Sequence, residues 1–218
     1  MDIIKSDSQF QTLFKAVGDG DVSKVKRLIL LGGSVTSPSV DFTLFHVAAQ
    51  QGHVDIIKAM TALNANINIT SKDGYTPVIV ATRNGHTDAI KALASLGANV
   101  NTPQRDGITP MFIAALNGYV DVIRALSISG GDVNTPDHYG VTPIFIAAKT
   151  GHAEAIKALA AMGGDINAPD KHGVTPVFVA ATQCHGEVIK VLYRLGADMG
   201  ISVPGVCVRG LNILETAR

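Results

Sequence analysis

Apolar positions recur along the chain in pairs of short segments, each with the three- and four-residue spacing of an amphipathic helix. In residues 106–138, the first segment runs from Met111 to about Asn117 and the second from about Val120 to Ser129. The inward positions of the second segment are Val122, Ile123 and Leu126. This pattern predicts two short helices joined by a tight connection.

Polar and glycine residues mark the ends of these predicted helices. Asp106-Gly107 is a turn signal, Thr109 is suited to the N-cap, and Pro110 is suited to the first helical position. We expect Gly118 to adopt a left-handed conformation after the first helix, and Gly130-Gly131 to end the second. Each helix of the pair therefore has a start and a stop encoded nearby.

The same arrangement repeats every 33 residues, as a Gly-x-Thr-Pro tetrapeptide shows. Its copies are Gly74-Tyr75-Thr76-Pro77, Gly107-Ile108-Thr109-Pro110, Gly140-Val141-Thr142-Pro143 and Gly173-Val174-Thr175-Pro176. Neither helix of a pair can bury its apolar face alone, so neighbouring pairs must supply the rest of the core. We predict one continuous, elongated stack that presents a long surface.

The chain resembles the ankyrin-repeat family, whose motif is Thr-Pro-Leu-His-x-Ala on this period. The resemblance covers roughly residues 9–200 and implies an all-α solenoid of stacked helix–turn–helix units with β-turn or hairpin loops. Five full repeats start near Thr43, Thr76, Thr109, Thr142 and Thr175.

We interpret residues 1–218 as a single ankyrin-repeat domain. A divergent N-terminal cap repeat precedes the full repeats, with Leu13, Ala16, Gly20, Val22 and Leu28 at the corresponding places and polar residues such as Lys24 and Lys26. The predicted ranges are about 7–40 for this cap, then 41–72, 73–105, 106–138, 139–171 and 172–200. Residues 201–218 are an irregular segment and a partial C-terminal cap.

One departure from the family motif changes the expected packing. Family members carry a histidine two residues after the proline, where it links adjacent loops by hydrogen bonds; here His46 alone keeps it. The other repeats carry Ile79, Phe112, Phe145 and Phe178. We expect the three phenylalanines to pack between repeats as an apolar ladder.

Composition narrows the possible partners. Eighteen basic and eighteen acidic side chains cancel, which disfavours nucleic acid as a partner. No stretch approaches the ~20 apolar residues of a membrane helix, and the N-terminus lacks a secretory signal. Two cysteines make no disulfide framework. We expect a cytoplasmic protein without membrane insertion and a monomer on its own.

The histidines and cysteines give little indication of a catalytic or metal site. His53, His86, His152 and His185 share one repeat position, with Tyr119 at the fifth. Packed helices lie ~8–10 Å apart, whereas zinc holds its ligands at ~2 Å, so these residues favour a structural role at the start of the second helix. Cys184 stands where other repeats place glycine, and its pairing with Cys207 is left open. We predict no catalytic residue, no metal site and no cofactor.

Each second helix also carries an acid three residues before a base, as in Asp88 and Lys91. Such pairs stabilise a helix modestly. They suit a solvated outer face, and a charged ladder that recognises a partner is the alternative reading.

The positions not held by stacking are the loop tips and the exposed ends of the first helices. By the resemblance, they line a concave groove for protein recognition; the alternative is plain solvated turns. Our partner-binding candidates are Tyr75, Arg83, Arg105, Ile108, Leu116, Asn117, His138, Tyr139, Val141, Lys149, Lys171 and His172. We place the binding hot spot in the middle repeats, at Tyr139 and Arg105, because Tyr and Arg dominate interface energies.

The resemblance thus implies a non-catalytic module that binds another protein. Two alternatives remain. The chain could be the recognition region of a larger enzyme or of a secreted effector exported to a host cell, with the catalytic part absent. It could also be a stoichiometric enzyme inhibitor.

Overall fold

The fold is taken from a computed structural model that describes residues 2–32, 43–63 and 65–199, with side chains from Phe10 onward. All regular secondary structure in these ranges is helical. The helices are α1 (Asp2–Gly18), α2 (Val22–Leu30), α3 (Leu44–Gln51), α4 (Val54–Thr61), α5 (Pro77–Arg83), α6 (Thr87–Ser95), α7 (Pro110–Leu116), α8 (Val120–Ile128), α9 (Pro143–Thr150), α10 (Ala153–Ala161), α11 (Pro176–Thr182) and α12 (Gly186–Arg194).

The chain forms two compact units, an N-terminal unit up to Arg105 and a C-terminal unit from Asp106. In the N-terminal unit, α1, α3 and α5 pack side by side as one layer, and α2, α4 and α6 form the layer behind them. In the C-terminal unit, α7, α9 and α11 form the first layer and α8, α10 and α12 the second. Each unit is therefore a stack of helix pairs.

The helix ends fall where the sequence places them. The Thr109 hydroxyl accepts a hydrogen bond from the backbone N–H of Phe112 at 3.2 Å, and Pro110 opens α7. Thr76 and Thr142 cap α5 and α9 in the same way. Helices α7 and α8 each end one residue before the predicted limit. The predicted N-cap at Thr109 and the predicted helix pair are confirmed, whereas the equivalent Thr175 hydroxyl makes no capping hydrogen bond.

The core of both units consists mainly of small and aliphatic side chains. The alanine pair of α7, Ala114 and Ala115, is fully buried, as are its counterparts in α9 and α11. Phe112, Phe145 and Phe178 are also buried, so the predicted burial of the phenylalanine ladder is confirmed. Small residues let the helices approach closely, and the aromatic rings fill the space that remains.

Glycine is favoured after α7 and α9, the first helices of two pairs, for two reasons. Gly118 has a φ of +68°, and a Cβ atom there would lie 2.6 Å from Nδ1 of His152. Gly151 has a φ of +84°, and its Cβ would lie 2.9 Å from Cε1 of His185. The left-handed conformation predicted for Gly118 is confirmed, and the histidine of the next repeat leaves no room for a side chain.

Those histidines link successive repeats. Nε2 of His86 lies 2.9 Å from the backbone oxygen of Gln50, and Nε2 of His152 lies 3.0 Å from that of Leu116. His53 and His185 make the same bond, to Gly18 and Lys149. The predicted structural role is confirmed, although none of these side chains caps its own helix.

His46, the histidine of the family motif, links adjacent loops by hydrogen bonds, as the resemblance implies. Nδ1 of His46 accepts from the Thr43 backbone N–H at 3.1 Å, and Nε2 lies 2.8 Å from the Tyr75 backbone oxygen. A single buried ring thus joins the start of α3 to the loop of the following repeat.

Several predictions concern the ends of the chain. Helix α1 begins at Asp2, earlier than the predicted repeat, because neither proline nor glycine occurs before Gly18 to stop it. Of the apolar residues placed at the corresponding positions of this repeat, Leu13 and Ala16 are buried, and Val22 and Leu28 are half-buried. Cys184 is the one described non-glycine residue with a positive φ, +58°, in keeping with its glycine-like position. Cys207 and the predicted C-terminal cap lie outside the described residues.

Candidate functional site

The loop tips of the C-terminal unit are tight hairpin turns with a fixed main chain. The Asp137 N–H donates to the Val141 carbonyl at 3.0 Å. The Asp137 carboxylate accepts in turn from the N–H groups of Tyr139 and Val141, at 2.8 and 2.9 Å. Asp170 repeats this arrangement one period later. Each aspartate therefore holds the shape of its own turn.

Main-chain hydrogen bonds also join consecutive tips within this unit. The Lys171 N–H donates to the Tyr139 carbonyl at 3.0 Å, and the His138 N–H donates to the Asp106 carbonyl at 3.2 Å. Gly107 sits against the His138 ring, since a Cβ at that glycine would come within 2.6 Å of Cδ2. The row of tips is thus fixed without using the Tyr139 side chain.

The side chains on these tips project outward to different degrees. Tyr139 is 68% exposed, and His138, Lys171 and His172 are exposed as well. Ile108 and Val141 are half-buried. The tips of the C-terminal unit thus combine an aromatic ring, imidazoles and an amine on a rigid backbone.

The exposed ends of α7 and α9 contribute Leu116, Asn117 and Lys149. Leu116 and Lys149 expose their side chains while their carbonyls accept the interrepeat histidine bonds. The Asn117 amide donates to the carbonyl of Ile113 at 2.9 Å. Asn117 therefore spends part of its hydrogen-bonding capacity on its own helix end, which weakens it as a partner contact.

In the N-terminal unit, Tyr75 and Arg83 come together. The Arg83 guanidinium carbon lies 5.1 Å from the centre of the Tyr75 ring, a cation–π distance. The pair borders a cavity of about 350 Å³ whose lining is Gln50, Tyr75, Val80, Arg83 and Asn84. Two predicted candidates thus share one pocket.

Arg105 is placed differently from Arg83. Its guanidinium donates to the Lys72 carbonyl and lies 3.7 Å from the Asp73 carboxylate, with both side chains largely exposed. The residue ties its own loop to the preceding one. The Arg105 side chain, predicted to be a hot spot, thus makes contacts within the fold.

The outer face carries the predicted acid–base pairs. The pairs close in three of the five second helices with such a motif, at 3.4 Å in α6, 2.6 Å in α10 and 3.9 Å in α12. All six side chains are substantially exposed, so each pair contributes little to stability. The geometry fits the solvated face predicted from sequence.

Sequence reasoning missed a ladder of asparagines in the loops that follow the second helices. Oδ1 of Asn68 accepts from the Asn99 N–H at 2.8 Å, and Oδ1 of Asn134 accepts from the Asp165 N–H at 2.8 Å. Asn167 makes the same bond to Asp198. The signal was present as an Asn-or-Asp, apolar, Asn triplet on the 33-residue period.

An unusual carboxylate lies in the same loops. The hydroxyl of Thr135 donates to Asp132 at 2.7 Å, and the Asn134 N–H donates to it at 2.8 Å. These two hydrogen bonds, the hydroxyl first, lower the pKa of Asp132 below its usual value. The group stabilises a turn and borders no pocket lined by the candidates.

Two further properties of the described residues concern metal binding and membrane spanning. Within the ranges that the structure describes, no three His, Cys, Asp or Glu side chains are grouped so as to hold a metal ion. None of the helices in those ranges is long and apolar enough to cross a bilayer.

Comparison with known proteins agrees with the repeat geometry. A family model described as "Ankyrin repeats (3 copies)" matches residues 13–104, 45–137 and 111–202. These overlapping matches span most of the chain, and with the helix pairs they confirm the predicted fold class, an all-α ankyrin-repeat solenoid. No curated protein matches the sequence.

Proposed function

The chain belongs to the ankyrin-repeat family, and we propose that it binds a partner protein through the concave groove and loop tips of its repeats. Ankyrin repeats are generally protein–protein interaction modules, and domains built from them are typically non-catalytic. The proposal assigns this general role to particular surfaces of this chain.

The proposal depends on one observation: the Tyr139 ring is exposed on a turn whose backbone is fixed by hydrogen bonds. Its N–H donates to the Asp137 carboxylate and its carbonyl accepts from Lys171, while 68% of the residue is exposed. Because the backbone of this turn is already ordered, a partner that covers Tyr139 has to order only the side chain, and tyrosine is enriched among hot-spot residues. Tyr139 is therefore the centre of the proposed surface.

The neighbouring candidates take graded roles. His138, Lys171 and His172 flank Tyr139 on the same row of tips, and Leu116 and Lys149 lie on the helix ends behind it. We expect Arg105→Ala to weaken binding too, but with an accompanying loss of loop order, because the Arg105 side chain holds the Lys72 carbonyl. Tyr139 is the cleaner probe.

A capture experiment tests the assignment. Immobilised wild type, Tyr139→Ala, Lys91→Ala and Lys157→Ala are exposed to the same lysate, and bound proteins are identified by mass spectrometry. We expect a partner that wild type and Lys157→Ala retain equally and that Tyr139→Ala retains poorly. A partner lost with Lys91→Ala or Lys157→Ala but not with Tyr139→Ala would move the binding site to the outer helices.

A further inference from the structure

The pocket beside Tyr75 and Arg83 in the N-terminal unit has a cation and no acid among its lining residues. Its lining side chains are Gln50, Tyr75, Val80, Arg83 and Asn84, around a volume of about 350 Å³. That volume lies at the lower end of the ~300–1,000 Å³ range of ligand pockets, and it can hold one side chain of a partner. Among the described residues of its wall, Arg83 is the only charged one.

The Arg83 guanidinium contacts an aromatic ring but has no ion-pair partner among the described acidic side chains. The Tyr75 ring holds it by a cation–π contact at 5.1 Å, and none of the described acidic side chains forms an ion pair with it. Arg105 in the same unit shows the contrasting case, since Asp73 lies 3.7 Å from its guanidinium. Arg83 therefore offers charge and N–H donors that the fold does not use.

The carbonyl groups at the C-terminal end of α5, next to Arg83, already accept hydrogen bonds from other residues. Carbonyls at a helix C-terminus carry partial negative charge and attract cations. Here the Val80 carbonyl accepts the Asn84 side-chain amide at 2.8 Å, and the Ala81 carbonyl accepts the His86 N–H at 3.0 Å. The Gln50 carbonyl is likewise bonded, to His86 Nε2 at 2.9 Å.

We propose that this pocket binds a carboxylate of the partner, with Arg83 as its ligand and Tyr75 as the support that orients Arg83. A planar guanidinium matches a carboxylate with two parallel N–H···O bonds. One cation balances a single negative charge, which suits a carboxylate from an acidic side chain or a chain terminus. The inference rests on the proposed function and adds the chemistry of the partner residue.

The test uses short peptides and the whole chain, and needs no natural partner. Acetyl-Gly-Glu-Gly-amide supplies a side-chain carboxylate, acetyl-Gly-Gly-Gly with a free terminus supplies a main-chain one, and acetyl-Gly-Gln-Gly-amide is the neutral match. The readout is the NMR signal of the Arg83 Nε–Hε group, assigned by its loss in Arg83→Gln. The Arg27 and Arg194 signals report nonspecific attraction to exposed arginines.

We expect a saturable shift of the Arg83 signal with at least one carboxylate peptide and none with the glutamine peptide. The peptide that produces the shift identifies the source of the carboxylate. Tyr75→Phe keeps the ring and should keep the shift, whereas Tyr75→Leu should reduce it. Because Tyr75 is half-buried, thermal unfolding of both variants is measured alongside.

An Arg83 signal that moves no more than that of Arg194, or that moves equally with glutamate and glutamine, overturns the inference. If that result is found while Tyr139→Ala still loses the captured partner, the carboxylate pocket is wrong and the proposed function stands. If Arg83 responds to a carboxylate peptide but Tyr139→Ala captures normally, the pocket is supported and the assignment of the tips is wrong.

Discussion

The tips of the two units are held in place by different groups. In the N-terminal unit, side chains reach across: His46 contacts the Tyr75 carbonyl, and Arg105 contacts the Lys72 carbonyl. In the C-terminal unit, the main chain itself makes the links, as from Lys171 N–H to the Tyr139 carbonyl. Where main-chain hydrogen bonds join the loop tips, the side chains of the tips remain available for recognition. Where side chains make these hydrogen bonds, the same side chains are less available to a partner.

The same contrast extends into the core. At the repeat position of His46, the C-terminal unit has Phe112, Phe145 and Phe178, all buried. At the position of Thr82, whose buried hydroxyl has no hydrogen-bond partner, the other full repeats have alanine. The N-terminal unit thus keeps polar groups at two core positions that are apolar in the C-terminal unit.

The largest effect is expected at the centre of the phenylalanine ladder. Phe145→Ala removes a buried ring and should lower the free energy of unfolding by about 3–5 kcal/mol. Chemical denaturation measures the change, and Tyr139→Ala is the exposed aromatic control. An unchanged midpoint for Phe145→Ala would show that the ring does not pack between repeats.

Replacing His46 by phenylalanine, the residue at this position in the C-terminal unit, should lower the free energy of unfolding by a smaller amount. His46→Phe leaves the Thr43 N–H and the Tyr75 carbonyl without this partner, so we expect a loss of about 1–3 kcal/mol. Chemical denaturation compares this variant with Phe145→Leu, which changes only the shape of an apolar side chain at the same repeat position. A His46→Phe protein as stable as wild type would mean that packing alone can replace the hydrogen bonds.

A smaller change of opposite sign is expected at Thr82. Thr82→Val keeps the shape of the side chain and removes a hydroxyl that is buried without a hydrogen bond. The variant should gain about 1 kcal/mol, since burying an unsatisfied polar group is unfavourable. Thermal unfolding of Thr82→Val and Thr82→Ser separates the hydroxyl from the methyl group. A destabilised valine variant would contradict the burial argument.

The smallest effect concerns Asp132 and depends on pH. Its pKa in the folded chain is lowered, chiefly by the Thr135 hydroxyl, so the carboxylate stabilises the fold above its unfolded pKa. That contribution disappears as pH falls through the lowered, folded pKa. Asp132→Asn should therefore cost below about 1 kcal/mol at neutral pH, because the group is exposed to solvent, and nothing in strong acid. Equal costs at both pH values would assign the effect to something other than charge.

Most of the fold could be predicted because its signals are local or periodic. Thr109, Pro110 and Gly118 specify the start and end of α7 through adjacent backbone groups, so the predicted limits were correct to within one residue. The burial of Phe145 followed from its position in the repeat. Periodicity in the sequence therefore conveys which residues stack.

The candidate surface was less predictable because long side chains choose among distant partners. Nothing in the spacing of Arg83 and Arg105 shows that one contacts a tyrosine ring and the other a carbonyl 33 residues back. The aspartate turns that fix Tyr139 depend on loop geometry that the repeat motif does not specify. The twelve predicted residues therefore include both exposed groups and groups that the fold already uses.

The central claim is that the Tyr139 ring serves recognition and not folding. Its most direct test measures, for Tyr139→Ala, both the free energy of unfolding and the affinity for a captured partner by calorimetry. We predict a stability change within about 0.5 kcal/mol and a loss of binding free energy of about 2 kcal/mol, with Lys157→Ala unchanged in both. Unchanged affinity for Tyr139→Ala, with a loss for Lys157→Ala, would contradict the account.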